Sequence, residues 1–315
     1  MEDKVLIVGA GNIGSRYLQG LLEFKTPLVI FVYDVYSAAF DLCRARYGDE
    51  EQCIHKIIYV TEFKTVPEHI NIVVVSTTAD KRTQIVKKIS ENLLVDYWVL
   101  EKVLAQKVSD LNLLRNATKK SKGAWVNTSL YLQPLYQKLN DQKLNEQAIT
   151  FIVSKLAGLA CNAIHYIDYV QRWNNSKITE FNTSKLNQNW YPAKRKGFFE
   201  VEGQLEVSFS DSSRLIISGF HNDISHEVEL TIADEIWQVN EIDGIAKSFT
   251  GKSIIAKAPH QSEMTAPLFK EILLYGRCNL PDISLSIIQH EIMIKSFLDH
   301  WNKKMPLNQE VLPIT

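Results

Sequence analysis

The stretch that most constrains the fold is a short apolar run followed by three spaced glycines. Lys4-Val5-Leu6-Ile7-Val8 reads as a buried strand, and Gly9-Ala10-Gly11-Asn12-Ile13-Gly14 follows at once. From Ser15 to Phe24, Tyr17, Leu18, Leu21 and Leu22 recur at helical spacing. A second apolar run, Leu28 to Val32, ends at Asp34. Strand, glycine turn, helix, strand and acid each have a physical task in holding a dinucleotide. Gly9 permits the tight turn out of the strand, Gly11 lets a pyrophosphate approach the backbone, and Gly14 lets the helix pack on the strand. Around Asn12 and Ile13 the first free N–H groups of the helix face the phosphates, and the helix dipole favours their charge. Asp34 stands where a carboxylate accepts hydrogen bonds from the adenosine ribose and repels a 2′-phosphate. No Arg or Lys follows it closely, so the expected cofactor is NAD rather than NADP. A glycine pattern alone is weak evidence; here strand, helix and acid agree with it.

At 315 residues the chain suits two domains. With 45% apolar and 23% charged residues, its composition is that of an ordinary globular protein. A net charge of −1 gives no field to draw it to nucleic acid or an anionic membrane, so neither is an expected partner. No apolar run is long enough to span a bilayer, and acidic Met1-Glu2-Asp3 does not read as a signal peptide. Cys43, Cys53, Cys161 and Cys278 lack C-x-x-C spacing and histidines in ligand register. Free thiols, a cytoplasmic location and no metal site are therefore expected.

After Asp34, Ala38 to Tyr47 reads as a helix, followed by polar Gly48-Asp49-Glu50-Glu51. Ile57 to Val60, Ile70 to Val75, Tyr97 to Leu100 and Ala124 to Asn127 read as strands, with helices at Asp80 to Asn92 and Gln106 to Ser121. Alternating strands and helices predict a doubly wound parallel α/β sheet over residues 1–127, a Rossmann domain for the dinucleotide. The rhythm then changes. Ala148 to Ser154 is a strand, Asn162 to Trp173 a helix, and from Phe198 the period becomes two. Val201, Gly203, Leu205, Val207 and Phe209 face one way; Glu202, Gln204, Glu206 and Ser208 face the other. Arg214 to Phe220, Glu227 to Ile232 and Trp237 to Glu241 continue the pattern. Residues 128–315 are thus expected to form an α+β domain with a mostly antiparallel open sheet, for substrate binding and oligomerisation. Two helices, Thr265 to Tyr275 and Ser284 to Trp301, close the chain and could pack back on the first domain.

Ligands of a doubly wound sheet sit outside the carboxyl ends of its strands. That points to the glycine turn, to Ser76-Thr77-Thr78 and to Glu101-Lys102. A lysine at a strand end beside nicotinamide can orient a hydroxyl or share its proton, although Lys102 also reads as a surface lysine opening a loop. On the helix from Asn162, the residues Asn162, His165, Asp168 or Tyr169, and Arg172 form a polar stripe. His165 and Asp168 are three apart, close enough for the carboxylate to hold the imidazole; a local structural pair is the plainer alternative.

Taken together, the glycine motif, Glu101-Lys102 and Cys161-Asn162-Ala163-Ile164-His165-Tyr166-Ile167-Asp168 resemble the Gfo/Idh/MocA oxidoreductase family. Leu280-Pro281 and the helix bearing His290 are similar to its closing segment. The resemblance implies hydride transfer between a nicotinamide and a hydroxyl or ketone of a sugar, polyol or nucleotide sugar, in a homo-oligomer. It implies Lys102, His165 and Asp168 as catalytic candidates, and Ser76, Thr77, Glu101 and Lys102 beside the cofactor. Asn162, Arg172 and Tyr131 are the candidates for substrate contact. Two positions depart from the family pattern. The proline of the E-K-P tripeptide is Val103; a non-proline cis bond costs roughly 3 kcal/mol, so a different local geometry is expected. Cys161 replaces the first acid of D-x-x-x-H, leaving Asp168 as a candidate to orient His165. The Cys-Asn-Ala-Ile-His form is similar to a branch associated with bacterial surface-sugar biosynthesis. It also keeps open an NAD(H)-binding sensor or scaffold that has lost turnover.

Overall fold

A computed structural model describes residues 2–48, 53–143, 145, 147–221, 225–305 and 308–315. Asp49, Glu50 and Glu51 of the polar stretch, and Met1, lie outside the described residues. In chain order the elements begin with β1 (Asp3–Val8), α1 (Asn12–Gly20), β2 (Leu28–Tyr33), α2 (Phe40–Tyr47), β3 (Lys56–Val60) and β4 (His69–Val75). There follow α3 (Ala79–Asn92), β5 (Leu94–Leu100), α4 (Val108–Thr118), β6 (Gly123–Val126), α5 (Pro134–Asn140), β7 (Ile149–Leu156) and α6 (Leu159–Trp173). The remainder is β8 (Ile178–Pro192), β9 (Phe199–Phe209), β10 (Arg214–Gly219), β11 (Glu227–Ile232), β12 (Glu235–Asn240), β13 (Ile245–Ser248), β14 (Ser253–Ile255), α7 (Gln261–Tyr275) and α8 (Ile283–Asn302). The chain divides into two compact units. The first comprises Met1–Ala105, Ser109–Asn127 and Pro259–Ser284; the second comprises Gln106–Val108, Thr128–Ala258 and Leu285–Thr315.

The first unit holds a six-stranded sheet in the order β3-β2-β1-β4-β5-β6. All five neighbouring pairs are parallel. The order reverses between β1 and β4, which opens a crevice at their carboxyl ends. Val5 to Val8 and Ile72 to Val75 are wholly buried, as strands covered on both faces must be. α7 returns from the far end of the chain to pack on α1 at Gly20. A Cβ on Gly20 would lie 2.1 Å from Ser262 O and 2.6 Å from Thr265 Cβ, so the two helices meet backbone to backbone.

The second unit holds an eight-stranded sheet in the order β14-β13-β12-β11-β7-β10-β9-β8. Every pair is antiparallel except β10 with β7. Val201, Leu205, Val207 and Phe209 are buried on one face, where α6 lies with Ala163, Ile164, Ile167 and Val170 wholly buried. Edge strand β8 was not visible in the sequence pattern. It is mostly exposed, buries only Leu186, and follows β9 through three register shifts. Beneath the sheet, Glu241 accepts from the hydroxyls of Tyr136 and Tyr166 and pairs with His226 Nε2.

Two expectations follow. Gly20→Ala should lower stability by about 1–3 kcal/mol in urea unfolding, because overpacking outweighs alanine's better helix propensity. The hydrogen bond to Glu241 raises the His226 pKa above the ordinary 6.5, against the opposing effect of burial. A raised imidazole pKa stabilises fully below 6.5, and that stabilisation is lost as pH rises through the folded-state value. Urea midpoints measured across that window should fall with pH, and Glu241→Gln should flatten the fall.

Candidate functional site

The glycine turn carries the first set of candidates. Gly9 has φ +95°, a conformation that favours glycine, and its N–H donates to Tyr33 O at 2.8 Å. A Cβ on Gly14 would stand 1.8 Å from Gly9 O and 2.8 Å from Ser76 Oγ. Both glycines are thus demanded by the protein's own packing. Gly11 differs: a Cβ there meets nothing within 4 Å. Gly11 precedes α1, whose first turn has no side-chain cap and no acidic residue. Its N–H groups therefore keep their capacity for an anion.

Asp34 Oδ2 accepts from Ala10 N at 2.8 Å and Oδ1 from Tyr36 N at 3.0 Å. The carboxylate is fixed at the end of β2 while each oxygen retains a second lone pair for a diol. Ser76 Oγ donates to Val8 O and Gly9 O at 2.9 and 2.8 Å, so it braces the turn. Beside it, Thr77 Oγ1 is buried with no hydrogen-bond partner among the described residues. Asn12 is gripped by Arg46 from α2, which donates to its carbonyl at 2.7 Å and to its Oδ1 at 3.1 Å. Ile13 is 39% exposed on the same turn. The open approach at Gly11, the seated acid and the orphaned Thr77 hydroxyl fit a dinucleotide.

At the end of β5, Glu101 Oε1 accepts from Tyr17 Oη and from Asn127 Nδ2, both at 2.7 Å. Gln261 Oε1 accepts from the same Asn127 amide at 3.3 Å. Burial and the Glu101 carboxylate hold the Tyr17 phenol protonated, well above its ordinary range. Lys102 is half-buried, and the Lys102–Val103 peptide is cis despite the missing proline, which corrects the expectation of an altered geometry. Buried Arg82 on α3 donates to the carbonyls of Val103 and Thr77, tying the two strand ends together. Neither Arg82 nor Arg46 was singled out in the sequence, because no local spacing ties either to the carbonyls it serves.

In the second unit, α6 carries the other candidates. Asn162 Nδ2 donates to Ala157 O at 3.0 Å and Cys161 Sγ to Gly158 O at 3.4 Å. Glu200 from β9, also not foreseen, accepts from Ala160 N at 2.7 Å and covers the start of the helix. The direct pairing of His165 with Asp168 is not formed. His165 Nδ1 accepts from Ser129 N at 3.3 Å. Asp168 accepts from Thr128 Oγ1 at 2.9 Å, Gln289 Nε2 at 3.1 Å and Arg172 at 3.5 Å. These partners lie far off in sequence or a helical turn away, and they occupy the carboxylate that spacing alone offered to the imidazole. Burial raises the Asp168 pKa, with Arg172 acting against it. Arg172 also stacks over Tyr131, 4.0 Å from the ring centre, and burial pushes the Tyr131 phenol to about 12. None of the four cysteines forms a disulfide, and no metal-binding cluster occurs among the described residues. No helix among them is long and apolar enough to cross a membrane.

Gly11 separates folding from binding. Gly11→Ala should leave urea stability within about 0.5 kcal/mol of the parent, since its Cβ meets no protein atom. The same variant should weaken NADH at least about tenfold in a fluorescence titration, because the methyl group stands where a pyrophosphate must approach.

Among solved structures of similar fold is UDP-N-acetylglucosamine 3-dehydrogenase GnnA from Acidithiobacillus ferrooxidans. It is 9% identical with a TM-score of 0.73, over 94% of this chain and 96% of its own. An oxidoreductase from Agrobacterium radiobacter, in complex with NAD+, L-tartaric acid and magnesium, is 12% identical with a TM-score of 0.70, over 97% and 98%. A putative myo-inositol dehydrogenase from Sinorhizobium meliloti is 12% identical with a TM-score of 0.69, over 96% and 98%. At these identities the likeness is one of fold. No curated protein sequence matches the chain. Residues 4–128 match the Gfo/Idh/MocA model, described as the oxidoreductase family, NAD-binding Rossmann fold. The likeness of residues 4–128 is to the NAD-binding Rossmann part of that family.

Proposed function

We propose that this protein is an NAD-dependent dehydrogenase or ketoreductase. It moves a hydride between nicotinamide and the hydroxyl-bearing or keto carbon of a sugar, polyol or nucleotide sugar. The observation that carries this reading is the glycine turn, where Gly11 alone is a glycine for no reason internal to the protein, beside an acid already seated for a diol. The substrate class is supported by two proteins of similar fold, one a UDP-N-acetylglucosamine 3-dehydrogenase and one a putative myo-inositol dehydrogenase.

In this reading the Rossmann domain, residues 1–127, holds the dinucleotide, and residues 128–315 provide substrate contacts and self-association. Gly9, Gly11, Asn12, Ile13 and Gly14 form the phosphate turn, Asp34 takes the ribose, and Thr77, Glu101 and Lys102 border the nicotinamide half. Ser76 keeps the turn in shape. Lys102 and His165 act on the substrate oxygen and its proton, and Asn162, Tyr131 and Arg172 contact the rest of the substrate. Bound NAD supplies the hydride chemistry; the side chains supply orientation and proton management. A cytoplasmic setting and a homo-oligomer complete the proposal.

A second reading, an NAD(H)-binding sensor without turnover, draws on Cys161, whose thiol turns back to Gly158 O. One experiment separates the two. Purified protein is mixed with NAD and a panel of sugars, inositols and nucleotide sugars while reduced-nicotinamide absorbance is followed. The dehydrogenase should give a signal for one substrate class, reduced by about a hundredfold or more in Lys102→Met with NADH binding retained. NADH binding with no turnover in either protein would favour the sensor.

A further inference from the structure

Residues Ser129–Leu132 form a short 3-10 turn that starts at Thr128. The first N–H groups of such a turn have no internal acceptor. That of Ser129 goes to His165 Nδ1 at 3.3 Å. A backbone N–H can only donate, so Nδ1 is the accepting nitrogen, and the neutral ring carries its proton on Nε2. Thr128 stands at the cap position, yet its hydroxyl does not cap the turn. It donates instead to Asp168 Oδ2 at 2.9 Å. Thr128 and Asp168 are 0% and 1% exposed, so no water competes for this bond. Gln289 Nε2 and Arg172 hold the carboxylate from two further sides, at 3.1 and 3.5 Å. Asp168 and His165 share one helix but are linked through a peptide 40 residues upstream of Asp168.

We propose that Asp168 is a positioning residue that sets the tautomer of His165 through the Thr128–Ser129 peptide, so that His165 meets the substrate oxygen as an Nε2–H donor. The reaction step rests on the dehydrogenase reading above; the tautomer does not. With NAD bound, the cofactor would take up the hydride in alcohol oxidation, and the hydroxyl proton would pass to the amine of Lys102. His165 keeps its own proton throughout and steadies the oxygen. Ketone reduction runs the same transfers backwards.

The tautomer is read directly on the full chain, without ligand, by two-dimensional NMR of histidine ring nitrogens. The His165 signals are identified by their loss in His165→Gln. The parent protein should show a protonated Nε2 and a bare Nδ1. Thr128→Val, which removes the hydroxyl and keeps the shape, should mix the tautomers. It should also lower kcat at least about tenfold while leaving NADH affinity unchanged. Thr128→Ser should restore both. A protonated Nδ1 in the parent overturns the proposal whether or not the valine variant folds. Turnover with the same tautomer in parent and Thr128→Val also overturns it, and leaves the dehydrogenase reading standing. A tautomer shift in a protein without turnover on any substrate does the reverse: the positioning role holds and the dehydrogenase reading falls.

Discussion

Helix α1 lies so close to the first strand's turn that no side chain fits between them. A methyl group at Gly14 would overlap the carbonyl oxygen of Gly9. This contact sets the height of the helix over the sheet, and three other features follow along its length. At its start, uncapped N–H groups stand over the crevice between β1 and β4. In its middle, Tyr17 reaches Glu101 and Asn127 at the ends of β5 and β6. At its last residue, Gly20 receives α7. The phosphate turn, the Glu101 cluster and the returning helix are therefore held in one register by one backbone approach.

The second unit is organised by α6. Its apolar side seats on β9 and β10, and its polar side carries Asn162, His165, Asp168 and Arg172. Glu200 meets the Ala160 N–H at the positive end of the helix, where an anion is favoured. The carboxylate of Asp168 is kept among Thr128, Gln289 and Arg172, and replacing any one of them would leave a buried acid short of a donor. Arg172 serves two neighbours at once, pairing with Asp168 and standing over the Tyr131 ring.

Most of the first sheet was legible because its strands are buried on both faces and hence nearly all apolar. The glycine turn and Asp34 were legible because their spacing is short and local. β8 was not, because an edge strand of alternating polar residues with bulges has neither a long apolar run nor a steady period. α5 and the short strands β13 and β14 have too few residues for a period to appear. The contacts of Asp168 were hidden for a different reason. Helical spacing says which residues can meet; it is silent on competitors such as Gln289, 121 residues away, that arrive with the tertiary fold. Arg82 was hidden for the same reason, since the carbonyls it serves are brought to it only by the tertiary fold.

The Arg82 fork has a consequence for how such a protein can change over time. One planar guanidinium spans the peptide carbonyls that follow β4 and β5, so the two loops share a single fixed separation. Neither can gain or lose a residue without pulling the other off its anchor. Diversification of this protein is thereby steered away from these two segments.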